Sequence, residues 1–207
     1  MKNTIDRRNL LKAGAFAGAA LAMPARVFAQ ASPLTGQQRR ILDVAKEQLE
    51  RVRDRLWRTD LVGVADFGLP SSQPRLHFAN LDQGTVRSFL VAHGIGSDPE
   101  HDGYLHNFSN VEGSRATSKG AFVTNEWYKG KYGTSIRLVG VDPTNSNALD
   151  RLIVMHPAWY ANEDMVEKWG KLGRSDGCFA MGEQNFNEAL WHLSGGRLLY
   201  SDQLGIA

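Results

Sequence analysis

The chain has 207 residues, 24 basic against 22 acidic side chains, and one cysteine. That length fits a single ordinary domain with a sizeable core. A lone thiol excludes an intramolecular disulfide framework, and the near-balance of charge excludes the basic excess of a nucleic-acid binder.

What basic excess exists is concentrated at the start. Residues 1–29 carry Lys2, Arg7, Arg8, Lys12 and Arg26 against Asp6, so their removal takes the formal charge from +2 to −2. A mildly apolar Ala/Gly run follows from Ala13 to Met23, and small residues precede cleavage points after Ala29 or Ala31. The segment Arg7-Arg8-Asn9-Leu10-Leu11-Lys12 resembles a twin-arginine signal. Its apolar run falls well short of the roughly 20 residues that span a bilayer. Residues 1–31 are therefore expected to be a cleaved export signal, leaving an exported, periplasmic protein with no membrane span.

Residues 32–60 predict a helix. Thr35 and Gln38 stand at capping-box spacing, and Ile41, Leu42, Ala45, Leu49, Val52 and Leu56 recur on one face. From 61 to 207 the pattern changes to short apolar runs between turn residues. Strands are predicted over Leu61–Phe67, Arg75–Ala79, Val86–His93, Ala121–Trp127, Ser135–Val141, Leu152–His156 and Arg197–Tyr200. Helices are predicted over Asn162–Trp169 and Glu183–Leu193. The fold class expected is mainly β, with an N-terminal helix and a few peripheral helices.

The chemistry gathers near the one thiol, in Gly173-Arg174-Ser175-Asp176-Gly177-Cys178. A free thiol titrates near ~8.5 and needs a base to become a nucleophile at neutral pH. His156 ends an apolar strand one helix-sized connection upstream and is the first candidate base; His93, which ends another strand before Gly94, is the reserve. Gly177 lets a substrate carbonyl approach the backbone, and the amides around it are candidate oxyanion donors. Ser175 and Asp176 are candidates for orienting the histidine or holding the loop. A bland reading stands beside this one: Cys is often simply buried, and a histidine ending a strand is often a structural hydrogen-bonding group. His93, Asp98, His101, Asp102 and His106 crowd one stretch, but their spacing matches no metal-site pattern, so no metal is expected. Trp127, Tyr128, Trp159 and Tyr160 suit either substrate walls or packing.

A set of blocks in order carries a resemblance. These are Val91-Ala92-His93-Gly94-Ile95-Gly96-Ser97-Asp98, Phe108-Ser109-Asn110 with Gly113-Ser114, and Ser118-Lys119-Gly120-Ala121-Phe122. They continue with Tyr132-Gly133-Thr134-Ser135-Ile136-Arg137-Leu138, Leu152-Ile153-Val154-Met155-His156 and the cysteine block. Together, from about Leu61 to Tyr200, they resemble the murein L,D-transpeptidase catalytic domain family, of the YkuD-type fold.

The resemblance implies a β-rich domain acting on peptidoglycan stem tetrapeptides, with Cys178 as nucleophile and His156 as its base, through a thioester and without cofactor or metal. Transfer to an amine would be L,D-transpeptidation; transfer to water, L,D-carboxypeptidation. Two positions depart from better-known members: Asp176 stands where they carry histidine, and Ala180 where they tend to carry arginine. Arg174 is the first candidate to replace that arginine at the substrate, Arg151 the second, with His93 also a candidate substrate-binding residue. Another exported thiol hydrolase, an amidase or endopeptidase, and an inactive wall-binding module of the same fold are the alternatives.

Overall fold

The computed structural model describes residues 33–207; the predicted export signal lies outside the described residues. Helix α1 (Gly36–Val52) begins at its predicted cap. Thr35 Oγ1 accepts the Gln38 amide at 3.1 Å and Gln38 Oε1 accepts the Thr35 amide at 3.0 Å, so two otherwise orphaned donors are satisfied reciprocally. Its apolar stripe, Ile41, Leu42, Val44, Ala45, Leu49 and Val52, is buried.

The strands are β1 (Leu61–Asp66), β2 (Leu76–Asn80), β3 (Thr85–Phe89), β4 (Gly120–Gly130), β5 (Gly133–Gly140), β6 (Val154–Pro157), β7 (Phe179–Met181) and β8 (Leu198–Asp202). Two short helices, α2 (Glu163–Trp169) and α3 (Phe186–His192), complete the elements. The strands form one curled, mixed sheet in the order β3-β2-β1-β8-β4-β5-β6-β7. β1 and β8 pair in parallel, as do β6 and β7, while the remaining neighbours are antiparallel. The protein is therefore mainly β, as the sequence predicts.

Alternation within the strands supplies both faces of the sheet with apolar side chains. In β1, Leu61 and Ala65 join the larger core, with Phe122, Met155, Phe179 and the α3 residues Phe186 and Ala189. Val62 and Val64 point the other way and pack with the α1 stripe, Ala79, Ala121, Leu198 and Tyr200. α1 thus covers one face and is part of the domain core.

Several bounds differ from the sequence-based expectation for identifiable reasons. β6 starts at Val154 because Leu152 adopts φ 56, a left-handed conformation that interrupts the strand. β3 stops at Phe89, and the chain then crosses to the sheet's far edge, where Ala92 bridges Ala180 and Gly94 bridges Ser175. Helix α3 begins only at Phe186, since the amides of Asn185 and Phe186 both turn back to Gly182 O. β7, three residues directly after the cysteine, was not predicted; a run that short carries no readable period.

Candidate active site

Cys178 immediately precedes β7, and His156 lies in β6. The parallel register sets His156 opposite Ala180. Cys178 lies two residues before Ala180, at the point where the cysteine turn runs into β7. The thiol is 7% exposed and donates to Leu152 O at 3.6 Å. No hydrogen bond joins it to His156.

The turn around Cys178 is tied from within and from outside. Ser175 Oγ donates to Cys178 O at 2.6 Å and accepts the Gly177 amide at 3.2 Å. The Ser175 amide donates to His93 O at 2.9 Å, and Ser175 O accepts the Ile95 amide at 2.8 Å. Gly177 adopts φ 111, and a Cβ there would stand 2.7 Å from Ala116 O. Glycine is required on both counts. Ser175 thus holds the loop, and the Gly177 N–H is already engaged within it.

His156 is buried, and its Nδ1 lies 2.9 Å from Pro157 O. A carbonyl only accepts, so Nδ1 carries the hydrogen and Nε2 is left with the lone pair that a base needs. Tyr132, from the β4–β5 turn, stacks on the ring with centroids 4.5 Å apart and planes at 22°. Tyr160 meets it edge-on at 6.5 Å. Burial holds the imidazole below its ordinary value, with the Pro157 carbonyl pulling the other way. Burial likewise pushes the Cys178 thiol up to about 11; the Val154 amide and Arg151 favour the thiolate while Asp176 opposes it. The resting pair is therefore a neutral thiol and a neutral imidazole.

The remaining predicted residues surround this pair in other roles. Asp176 is exposed and salt-bridged to Arg115 at 2.6 Å, while the imidazole's polar partner is Pro157. Arg174 NH1 donates to the carbonyls of Asp98 and Pro99, so it ties the cysteine loop to residues 98–99. His93 is 1% exposed, with Nδ1 2.7 Å from Arg75 and Nε2 3.2 Å from Asp98. Both ring nitrogens are engaged and burial pulls its pKa down to about 3, a bracing position beneath the loop. Arg75 is itself fully buried, donating also to Leu69 O and Val91 O.

Of the five residues in the His/Asp stretch, Asp98, Asp102 and His106 come together, their ligand atoms within 4.8 Å. The Asp98 carboxylate already accepts the amides of Asp102 and Gly103, which makes it the cap of that turn. Trp127 and Trp159 are exposed and Tyr160 borders His156. Sequence reasoning did not single out Tyr132, Arg75 or Arg115. Tyr132 lay inside a recognised block, but only the turn geometry brings its ring to the imidazole.

A curled mixed sheet thus carries a buried thiol at the start of one strand and a buried imidazole in the parallel strand beside it. The sequence matches the model of the L,D-transpeptidase catalytic domain family over residues 35–201. The chain belongs to that family, and the match takes in α1 as well as the sheet. No curated protein sequence matches it. Among solved structures it is similar to an L,D-transpeptidase from Mycobacterium smegmatis, with 14% identity, 69% of this chain and 58% of that chain covered, and a TM-score of 0.42. It is also similar to the helical cell shape determining protein Pgp2 from Campylobacter jejuni, at 14% identity, 77% and 55% coverage, and a TM-score of 0.44. An L,D-transpeptidase from Mycobacterium tuberculosis H37Rv aligns at 16% identity, 69% and 57% coverage, and a TM-score of 0.37. The chain spans less than two thirds of the length of each of these proteins.

Proposed function

We propose that this protein is an exported L,D-transpeptidase or L,D-carboxypeptidase that acts on peptidoglycan stem tetrapeptides through a Cys178 thioester. The observation that carries this reading is the placement of the Cys178 thiol at the entry to β7, against the segment leading into β6, the strand that carries His156, within a chain matched to the family over residues 35–201. Neither group is charged at rest, so His156 Nε2 takes the thiol proton as sulfur attacks the donor carbonyl. The C–S bond forms, the bond to the terminal D-alanine nitrogen breaks, and the same proton passes to the leaving amine. An acceptor amine or water then attacks the thioester, expelling the Cys178 sulfur, which regains a proton. Residues 1–31 are proposed to direct export, which fractionation of cells expressing the full chain tests.

The test is mass spectrometry of tetrapeptide muropeptides incubated with the protein and with Cys178→Ala. Cross-linked dimers, or tripeptides with free D-alanine, are expected only with the thiol present, and the variant is expected at background. Equal products from Cys178→Ala would refute the mechanism. Cleavage of an internal peptide bond instead would identify a different thiol hydrolase. A thiol inert to acylating probes would favour a wall-binding module.

A further inference from the structure

Arg151 is the residue just before the left-handed Leu152, whose carbonyl receives the Cys178 thiol. Its guanidinium is half-buried and forks into the 109–118 loop. NH1 donates to Ser109 O at 2.7 Å and Ser118 Oγ at 2.6 Å; NH2 donates to Ser114 Oγ at 3.1 Å and Ala116 O at 2.6 Å. All four acceptors are neutral, and no carboxylate pairs with Arg151 among the described residues. Ala116 O is also the atom against which Gly177 packs. The cation is thus fixed in place, not neutralised, and joined to the nucleophile's turn on two sides, through Leu152 and through Ala116.

We propose that Arg151 is a positioning residue for the nucleophile: its clamped, carboxylate-free guanidinium supplies the positive field that stabilises Cys178 as a thiolate. The proposal rests on Cys178 being the nucleophile and deepens that reading of the site. The other charged and titratable groups around the thiol do not fill this role. Asp176, on its own loop, opposes the thiolate and is paired with Arg115. Arg174 on that loop is directed to the Asp98 and Pro99 carbonyls. His156 on β6 is held neutral by burial, as is Tyr160 beside it. Tyr132 from the hairpin turn stacks on His156, with the Lys131 ammonium lying over the Tyr132 ring, 5.3 Å from its centroid. An oriented cation stabilises a nearby thiolate without donating a hydrogen bond to it, and the effect is strong where water is excluded.

The test is the pH dependence of Cys178 alkylation by iodoacetamide in the full chain, which needs no peptidoglycan substrate. Arg151→Met is expected to move the alkylation profile to higher pH by about one unit, slowing the reaction at pH 7 about tenfold. Arg151→Lys keeps the charge but not the four-acceptor fork, and is expected to stay within about threefold of the parent rate. A methionine variant that folds and alkylates on the parent profile overturns the proposal. So does an equal shift in both variants, which would mean that bracing the loop, and not charge, is what matters. Should only the lysine variant fold, a rate within threefold supports the field and a slower one overturns it. Muropeptide turnover with an unchanged alkylation profile would leave the enzyme reading intact and this inference refuted. A shifted profile without turnover would do the reverse.

Discussion

His156, the proposed base, has its tautomer and basicity set by what surrounds it. Pro157 O holds the Nδ1 hydrogen, and the Tyr132 ring excludes water from one face of the imidazole. General-base attack needs the neutral ring, which exists above the histidine's pKa, and burial has moved that value downward from 6.5. Tyr132→Ala uncovers the ring, so the pKa rises back toward its ordinary value and the acid limb of the pH–rate profile moves to higher pH. At about pH 6 the variant is expected to release D-alanine about twofold to fourfold more slowly, with little change near pH 8. An unmoved limb would show that Tyr132 does not desolvate the imidazole. None of this is visible in the residue order: Tyr132 and His156 are separated by all of β5 and the turns that follow it, and only the folded hairpin joins them.

At the scale of elements, the site depends on two backbone segments packed without side chains between them. A Cβ on Gly94 would lie 2.3 Å from Arg115 O and 2.6 Å from the Gly177 Cα. Gly94 has φ −76 and ψ 148, a conformation open to any residue, so the close approach alone demands glycine. Gly94→Ala is expected to separate the two segments, costing about 1–3 kcal/mol in stability and roughly 100-fold in turnover. Gly36→Ala, with open space at its Cβ at the start of α1, is the control and should leave turnover unchanged without lowering stability. Thermal melts together with D-alanine release check the pair. The sequence made the longer elements legible because α1 and β1 carry strong periodicity and a capping box. It also marked Cys178, His156 and their glycines as candidates. It could not show that the run ending at His93 leaves β3 for the far edge of the sheet, since Val91 and Ala92 are as apolar as strand residues and the diversion comes from contacts with Ala180 and Ser175. His93 was misleading for the same reason: strand-end histidines look alike until their ring partners, here Arg75 and Asp98, are known.

At the scale of the whole molecule, one buried carboxylate holds the end of the chain. Asp66 Oδ1 accepts the amides of Gly68, Leu204 and Gly205 at 2.8–2.9 Å, and Oδ2 accepts Ile206 at 2.7 Å. Asp66→Asn turns a donor toward amides that are themselves donors. It is expected to cost about 2–3 kcal/mol in urea unfolding, since charge-assisted bonds are lost and buried amides left unpaired. A loss under about 0.5 kcal/mol would mean that the tail re-pairs elsewhere. Asp66 closes β1, and β1 lies beside β8, which in turn separates β1 from β4 in the sheet order. The strand made last is thus the one that joins the first three to the other four. Closing the sheet therefore waits on a pairing between segments far apart in sequence, the kind of long-range contact that tends to slow folding.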